Sequence, residues 1–465
     1  MVRPAHDQQT SCTKPRQFLS PLDQINSLTH TQIIYFYQPP KILCTPRDTI
    51  FVTLRDSLSR VLVPFYPLAG RLRWSVDHDQ TDNHNGRLEL DCNGHGVAFF
   101  EAELDAELVE FGDFTPSSTM NYRCLFSCID YNVPIHEMPV LFLQLTKFKC
   151  GGMSLSMSFS HIVADGVSMA HFLMEWARVS RGEPIQTMPC HDRNVSIIMR
   201  TSQVFDHSVD FLHLPRLLIE RPKADDHREV EKMMKRTVIS LRLTKYQVGK
   251  LQKNANHDCQ IDEQNHVAYT RYEAVAAHIW RCMSKVRKNK DEQATTNIIT
   301  VDARCRLEPA LPEGYFGNAI FDVKATIYAG DLVAKPLGYE ASRIRAAIEK
   351  VTNEYVLSAI HFIKNQQDLS RLRQLYSFFV ENKIFLGNPN VAVTNWVNLP
   401  AYGLDFGWGK EIYFGPGDLE TDGDSVVLRD CSGDIGSLIV VLCLQVDHVD
   451  DFKMHFYKEI LSSSL

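Results

Sequence analysis

Met153-Ser154-Leu155-Ser156-Met157-Ser158-Phe159-Ser160 runs directly into His161-Ile162-Val163-Ala164-Asp165-Gly166. The first eight residues alternate apolar and serine without a break, the period-two pattern of a strand with one apolar face and one serine face. Gly151-Gly152 precedes them, and the apolar run from Val140 to Phe148 precedes those glycines, so the two runs read as a hairpin. Asp165 and Gly166 force a turn, and a helix is expected from about Ser168 to Ser180. His161 therefore stands where a regular strand ends. There a rigid element holds a side chain while the following loop leaves it accessible. A neutral imidazole, with an ordinary pKa of about 6.5, is a suitable general base at cellular pH. Asp165 either orients that imidazole or serves the structure. Because the two residues straddle a turn, a direct bond between them is not assumed.

Outward from this stretch, residues 1–184 read as one folded unit. Ser20-Pro21-Leu22-Asp23 opens a helical turn, and Ile33 to Tyr37 is an aromatic strand. Leu54, Leu58, Val61 and Leu62 share a helix face, which Pro64 and Pro67 end. Residues 185–235 change character: Pro189, Pro215 and Pro222 punctuate them, and a dense charge run extends from Lys223 to Lys235. This is a crossover. The second unit, 236–465, resumes with a strand from Thr237. Thr270-Arg271-Tyr272-Glu273 fits a capping box. A long helix is expected from about Tyr339 to Ile363, strands at Val391 to Trp396, Val426 to Leu428 and Ser437 to Val446, and a last helix at Phe452 to Ile460. Neither half shows βαβ regularity, and no GxGxxG follows a strand, so a mixed α+β fold in two lobes is favoured over a doubly wound one.

The chain has 465 residues, 44% of them apolar, enough for a large core. Its formal net charge of −7 argues against a general nucleic-acid binder. Met1 to Asp7 holds no apolar run, so no secretory signal is expected there, and the longest apolar run, Leu438 to Leu444, is far too short to span a bilayer. No CxxC pair occurs among the 12 cysteines, and Cys124 with Cys128 lacks a second pair at zinc spacing. No metal site and a cytoplasmic location are expected.

A second feature is Tyr402-Gly403-Leu404-Asp405-Phe406-Gly407-Trp408-Gly409. Three glycines around two aromatics mark a tight loop. Asp405 is expected to lock it through an arginine, Arg304 or Arg306.

Together these stretches resemble the plant BAHD acyl-CoA-dependent acyltransferases. His161-Ile162-Val163-Ala164-Asp165, followed by Gly166, matches the family's HxxxD motif, and Asp405 to Gly409, with Gly407 and Trp408, matches its DFGWG motif. Asp302-Ala303-Arg304-Cys305-Arg306 and Gly314-Tyr315-Phe316-Gly317-Asn318 add to the likeness. Thr146 to Gly152, Val351 to Val356 and Tyr402 to Leu404 look most like the spermidine hydroxycinnamoyl transferases. The resemblance implies two similar-sized chloramphenicol acetyltransferase-like domains joined by the crossover, with a channel between them. It implies His161 as the base, and Asp165 turned away and tied to an arginine. The DFGWG loop would then be structural. Thr394 and Trp396 of Thr394-Asn395-Trp396 would sit near the reacting carbonyl, and His30 would line the acceptor channel. It further implies a monomer without a bound cofactor, using hydroxycinnamoyl-CoA as co-substrate. On this reading an amine of spermidine or a related polyamine is acylated. Acylation of an alcohol such as shikimate, quinate or an alkaloid alcohol is the alternative, and a non-catalytic small-molecule-binding protein is a third.

Overall fold

The structure is a computed structural model that describes residues 1–5, 16–40, 49–75, 86–116, 120–193, 205–207, 218–220, 235–257, 268–373, 379–380, 383–385, 389–419 and 421–462. The serine strand, Met153–Ser160, is the middle member of a five-stranded sheet. Its order is Tyr413–Pro416, His30–Tyr37, Met153–Ser160, Leu141–Phe148 and Ala98–Leu104. The hairpin pairs Leu141 with Phe159 and Lys147 with Met153, and on the other side His30 faces Ser160. Only the outer strand Ala98–Leu104 runs parallel to its neighbour.

Every residue of the serine strand is buried. Leu155, Met157 and Phe159 pack with Leu54, Leu58, Phe172 and Trp176 from the helices Ile50–Val61 and Gly166–Ser180. The serine face is covered as well. Ile34 and Phe36 on the adjacent strand join a cluster with Leu125, Val426, Leu428, Ile439 and Val441, and Ser156 Oγ donates to Leu125 O at 2.5 Å. The serine face is thus as fully covered as the apolar one, by first-half residues such as Leu125 and second-half residues such as Val426 and Ile439.

A six-stranded mixed sheet forms the second domain, in the order Ile320–Tyr328, Ala294–Asp302, Val391–Asn395, Asp424–Arg429, Leu438–Gln445 and Arg236–Leu243. Val391–Asn395 is parallel to both neighbours, and the remaining pairs are antiparallel. The helix Arg271–Arg287 packs its buried Trp280 into the core beneath this sheet. Its start is the capping box read from sequence: Glu273 N donates to Thr270 Oγ1, and Thr270 N donates to Glu273 Oε2. The two domains do not divide the chain cleanly, because Tyr413–Pro416 leaves the second half to pair with His30–Tyr37.

One helix expectation is corrected. The run from Tyr339 to Ile363 is two helices, Leu337–Glu349 and Asn353–Lys364. Thr352 Oγ1 accepts from Tyr355 N and caps the second. Arg306 Nη1 donates to Ile348 O and Val351 O, both at 2.9 Å, and so satisfies carbonyls where the first helix ends. Much of the crossover, with Pro215, Pro222 and the charge run as far as Met234, lies outside the described residues. Its segment Leu218–Glu220 pairs with Lys383–Phe385. Among the described residues the cysteines are free, and no helix is long and apolar enough to cross a membrane.

Candidate active site

The turn after the serine strand is fixed by Asp165. Its main chain is extended at the N-cap of the helix Gly166–Ser180, and its Oδ1 accepts from Ser168 N at 3.0 Å. Arg304 donates to both carboxylate oxygens at 2.8 Å, and Ala319 N donates to Oδ2 at 3.0 Å. Burial pushes this carboxyl up. The Arg304 guanidinium and the two amides more than offset that, holding it below the usual carboxylate value. With all these partners Asp165 is spent on architecture, and the choice left open by the sequence falls to the structural role.

His161 is half-buried and lines a cavity of about 530 Å³ between the two sheets. Thr394 and Trp396, at the end of a strand of the second sheet, line the same cavity, as do Tyr35, Asp302 and Asp322. Trp396 is held by stacking on Phe414, ring centroids 5.5 Å apart, and by its carbonyl, which accepts from Tyr402 Oη. The two carboxylates on the wall are engaged: Asp302 Oδ1 accepts from Arg304 N and Nη1, and Asp322 Oδ1 accepts from Thr300 Oγ1 at 2.7 Å. A second cavity, about 710 Å³, meets the first at Leu419 on the other side of the aromatic strand. A third cavity, about 1020 Å³, lies between the helices Lys245–His257 and Arg271–Arg287 and does not include His161.

His30 is not brought to the His161 cavity. Alternation along its strand sends Thr31, Ile33 and Tyr35 to the cavity and His30 to the opposite face. There His30 Nε2 bonds Pro139 O at 2.9 Å, and Nδ1 lies 3.3 Å from Tyr131 Oη. Burial lowers its pKa, against the pull of the Pro139 carbonyl.

Asp405 meets neither of the arginines expected for it. Its Oδ1 accepts from Gly407 N at 2.7 Å and Gly409 N at 2.9 Å, and its main-chain oxygen accepts from Arg181. Gly407 and Gly409 have φ of 113° and 111°, so the turn needs residues without a Cβ. Phe406 packs edge-on against Trp176 and stacks on Trp408, while Tyr37 Oη donates to Leu404 O at 3.2 Å. The loop clamps the first sheet and the end of its helix, and none of Asp405 to Gly409 lines the cavity.

Three residues beside the site, Asp23, Arg193 and Asn318, had no site role in the sequence reading. Asp23 Oδ1 accepts from Asn318 N and Nδ2, both at 2.9 Å, and its Oδ2 is 2.7 Å from Arg193 Nη1. Asn318 Nδ2 also donates to His161 O at 2.8 Å, and Arg193 Nη2 donates to Val163 O at 2.7 Å. Ser20 to Asp23 read only as a helical turn, which the structure closes with a capping box, and Gly314 to Asn318 only as a family stretch; neither names partners so distant in sequence. Among the described residues, His278, Cys282 and Glu459 come within metal-ligating reach of one another; none lines this cavity.

A family model described as "Transferase family" matches residues 1–459. The chain belongs to this transferase family, as a plant BAHD acyl-CoA-dependent acyltransferase. This BAHD acyltransferase is 40% identical over 448 residues to hydroxycinnamoyl-CoA:piscidic acid hydroxycinnamoyltransferase of Actaea racemosa, with 95% of each chain covered. It is 35% identical to shikimate O-hydroxycinnamoyltransferase of Nicotiana tabacum, with 98% of each covered. It is also 35% identical to an Avena sativa enzyme named hydroxycinnamoyl-CoA:5-hydroxyanthranilate N-hydroxycinnamoyltransferase, with 97% of each covered. In fold it is similar to vinorine synthase, with a TM-score of 0.68, 21% identity, and 98% and 96% of the two chains covered. It is likewise similar to F. graminearum TRI101 complexed with coenzyme A and deoxynivalenol, with a TM-score of 0.76, 18% identity, and 95% and 98% covered. The BAHD acyltransferase thus shares the two-domain fold, and acyl-CoA is its co-substrate.

The spermidine assignment is corrected by these relatives, whose names give piscidic acid, shikimate and 5-hydroxyanthranilate as acceptors. The stretches that suggested a polyamine are architectural. Gly151 and Gly152 make the hairpin turn, Thr352 caps a helix, and Leu404 is buried beneath Tyr37. None of the three stretches lines the His161 cavity.

Proposed function

We propose that this BAHD acyltransferase moves a hydroxycinnamoyl group from its coenzyme A thioester to a hydroxyl of a small hydroxylated acid. The observation that carries the reading is the meeting of His161 with Thr394 and Trp396 around one cavity between the domains. The acceptor class rests on the 40% and 35% identical relatives named for piscidic acid and shikimate.

His161 takes the proton of the acceptor hydroxyl as its oxygen attacks the thioester carbonyl carbon. The Thr394 hydroxyl or the Trp396 indole N–H donates to the oxyanion that forms, a contribution of about 3 kcal/mol for a well-placed donor. Collapse breaks the carbon–sulfur bond, and the imidazolium returns its proton to the departing thiolate. The products are an ester and free coenzyme A, without a covalent acyl-enzyme. Holding both substrates in one cavity removes much of the entropic barrier. Asp302 and Asp322 place negative charge on one wall, so the acceptor's own carboxylate points away from them. The same reading takes 1–184 and 236–465 as the two domains of a monomeric cytoplasmic enzyme.

The test is competition. Purified protein is given mixed hydroxycinnamoyl-CoAs with piscidic acid, shikimate, quinate, 5-hydroxyanthranilate and spermidine, and products are weighed by mass spectrometry. Esters of the hydroxy acids are expected. Amides as the dominant products would overturn the acceptor assignment.

A further inference from the structure

We infer that Asn318, seated on the buried Asp23–Arg193 ion pair, is a positioning residue for the His161 imidazole. The inference rests on the reading of His161 as the base. A catalytic histidine is commonly aimed by an acceptor on its second ring nitrogen. His161 Nδ1 is buried and has no hydrogen-bond partner among the described residues. Asp165, the acidic residue nearest in sequence, is taken up by Arg304, Ser168 and Ala319. With no such hydrogen bond, the direction of the ring is set by the main chain from which it hangs and by packing beside Phe159, ring centroids 5.9 Å apart.

That main chain is gripped through its carbonyls. Asn318 Nδ2 donates to His161 O at 2.8 Å, and Arg193 Nη2 donates to Val163 O at 2.7 Å. Both donors are anchored on the two oxygens of one carboxylate, that of Asp23. Asp23, Arg193 and Asn318 are each no more than 1% exposed, so water does not compete for these bonds. The group ties the first helical turn, the start of the crossover and the second domain to the residue that does the chemistry. A small rotation of the His161 peptide swings Nε2 through a larger arc, and misplacement by about 1 Å costs about 100-fold in rate.

Asn318→Ala removes the grip on His161 O without touching the cavity wall. Steady-state kinetics with a hydroxycinnamoyl-CoA and the acceptor found above should show kcat reduced roughly 10- to 100-fold, with KM for either substrate little changed. Because Asn318 acts through His161, the same change in a His161→Ala background should cost nothing further. If Asn318→Ala fails to fold, Arg193→Lys decides the matter. It keeps the charge opposite Asp23 but loses the fork to Val163 O, and should lower kcat at unchanged KM with the same dependence on His161. An unchanged kcat, a parallel rise in KM, or a loss that persists without His161 would overturn the inference. If His161→Ala itself leaves kcat intact, it is the base assignment that fails.

Discussion

Arg304 and Asp165 are 139 residues apart in sequence and meet through two parallel hydrogen bonds of 2.8 Å. The pair joins the turn after the catalytic strand to the loop after Ala294–Asp302, and so couples the two domains beside the cavity. The Asp165 side chain is fully buried and that of Arg304 is 12% exposed. Breaking such a pair from one side leaves a buried charge alone, at about 3–5 kcal/mol. Arg304→Ala should lower stability in urea unfolding by that amount. Arg304→Lys should recover only part, since a lysine cannot make the fork. A neutral Arg304→Ala change would contradict the clamp.

Thr394→Val and Trp396→Phe each remove one donor from the cavity while keeping bulk. If one of them serves the oxyanion, its variant should lose about 100-fold in kcat with KM nearly unchanged. The phenylalanine still stacks on Phe414, which separates loss of the indole N–H from loss of packing. Full activity in both variants would remove the oxyanion role from this pair.

The Asp405 loop is predicted to matter for stability and not for the chemical step. Asp405→Asn keeps an acceptor for Gly407 N and Gly409 N and should be close to wild type. Asp405→Ala leaves both exposed amides to water and should cost about 0.5–1.5 kcal/mol in thermal unfolding, with kcat of the folded enzyme within about twofold. A large fall in kcat with unaltered stability would place Asp405 in the reaction.

His278 gives the fold an acid-sensitive element. It is buried, and its Nε2 bonds Phe456 O at 2.8 Å. Burial lowers its pKa to about 4. The unfolded chain protonates near its ordinary value of about 6.5. The folded state binds fewer protons between these values. The stabilisation is therefore complete above pH ~6.5 and is lost as pH falls towards 4, up to about 3 kcal/mol. In urea titrations at pH 7.5 and 5, His278→Gln should show a smaller loss on acidification than wild type. Equal losses would show that His278 is not the group responsible.

The lines of the active site were legible where structure follows from neighbours in sequence. Serine alternation fixed the strand, and Asp165 and Gly166 fixed the turn. Thr270 and Glu273 sit three residues apart, so their capping box is local. What failed was set by distance or by the third dimension. Nothing near Asp23 announces Asn318, 295 residues away. Arg306 looked like a partner for Asp405 but serves the end of a helix, which only the folded chain reveals. The same arginine helps divide a run that hydrophobic period alone reads as one helix. His30, assigned to the acceptor channel by likeness, stands one step of strand alternation away from the face that lines the His161 cavity. The acceptor was misread because the stretches used for it build turns and caps and do not face the cavity.

The most direct test of the account is single-turnover acyl transfer by His161→Ala, with coenzyme A binding and thermal unfolding measured on the same sample. Removing the base should slow ester formation by about 100- to 10,000-fold, while the protein still melts as wild type and still binds coenzyme A. Ester formation at the wild-type rate in this variant would contradict the assignment of His161 and with it the proposed mechanism.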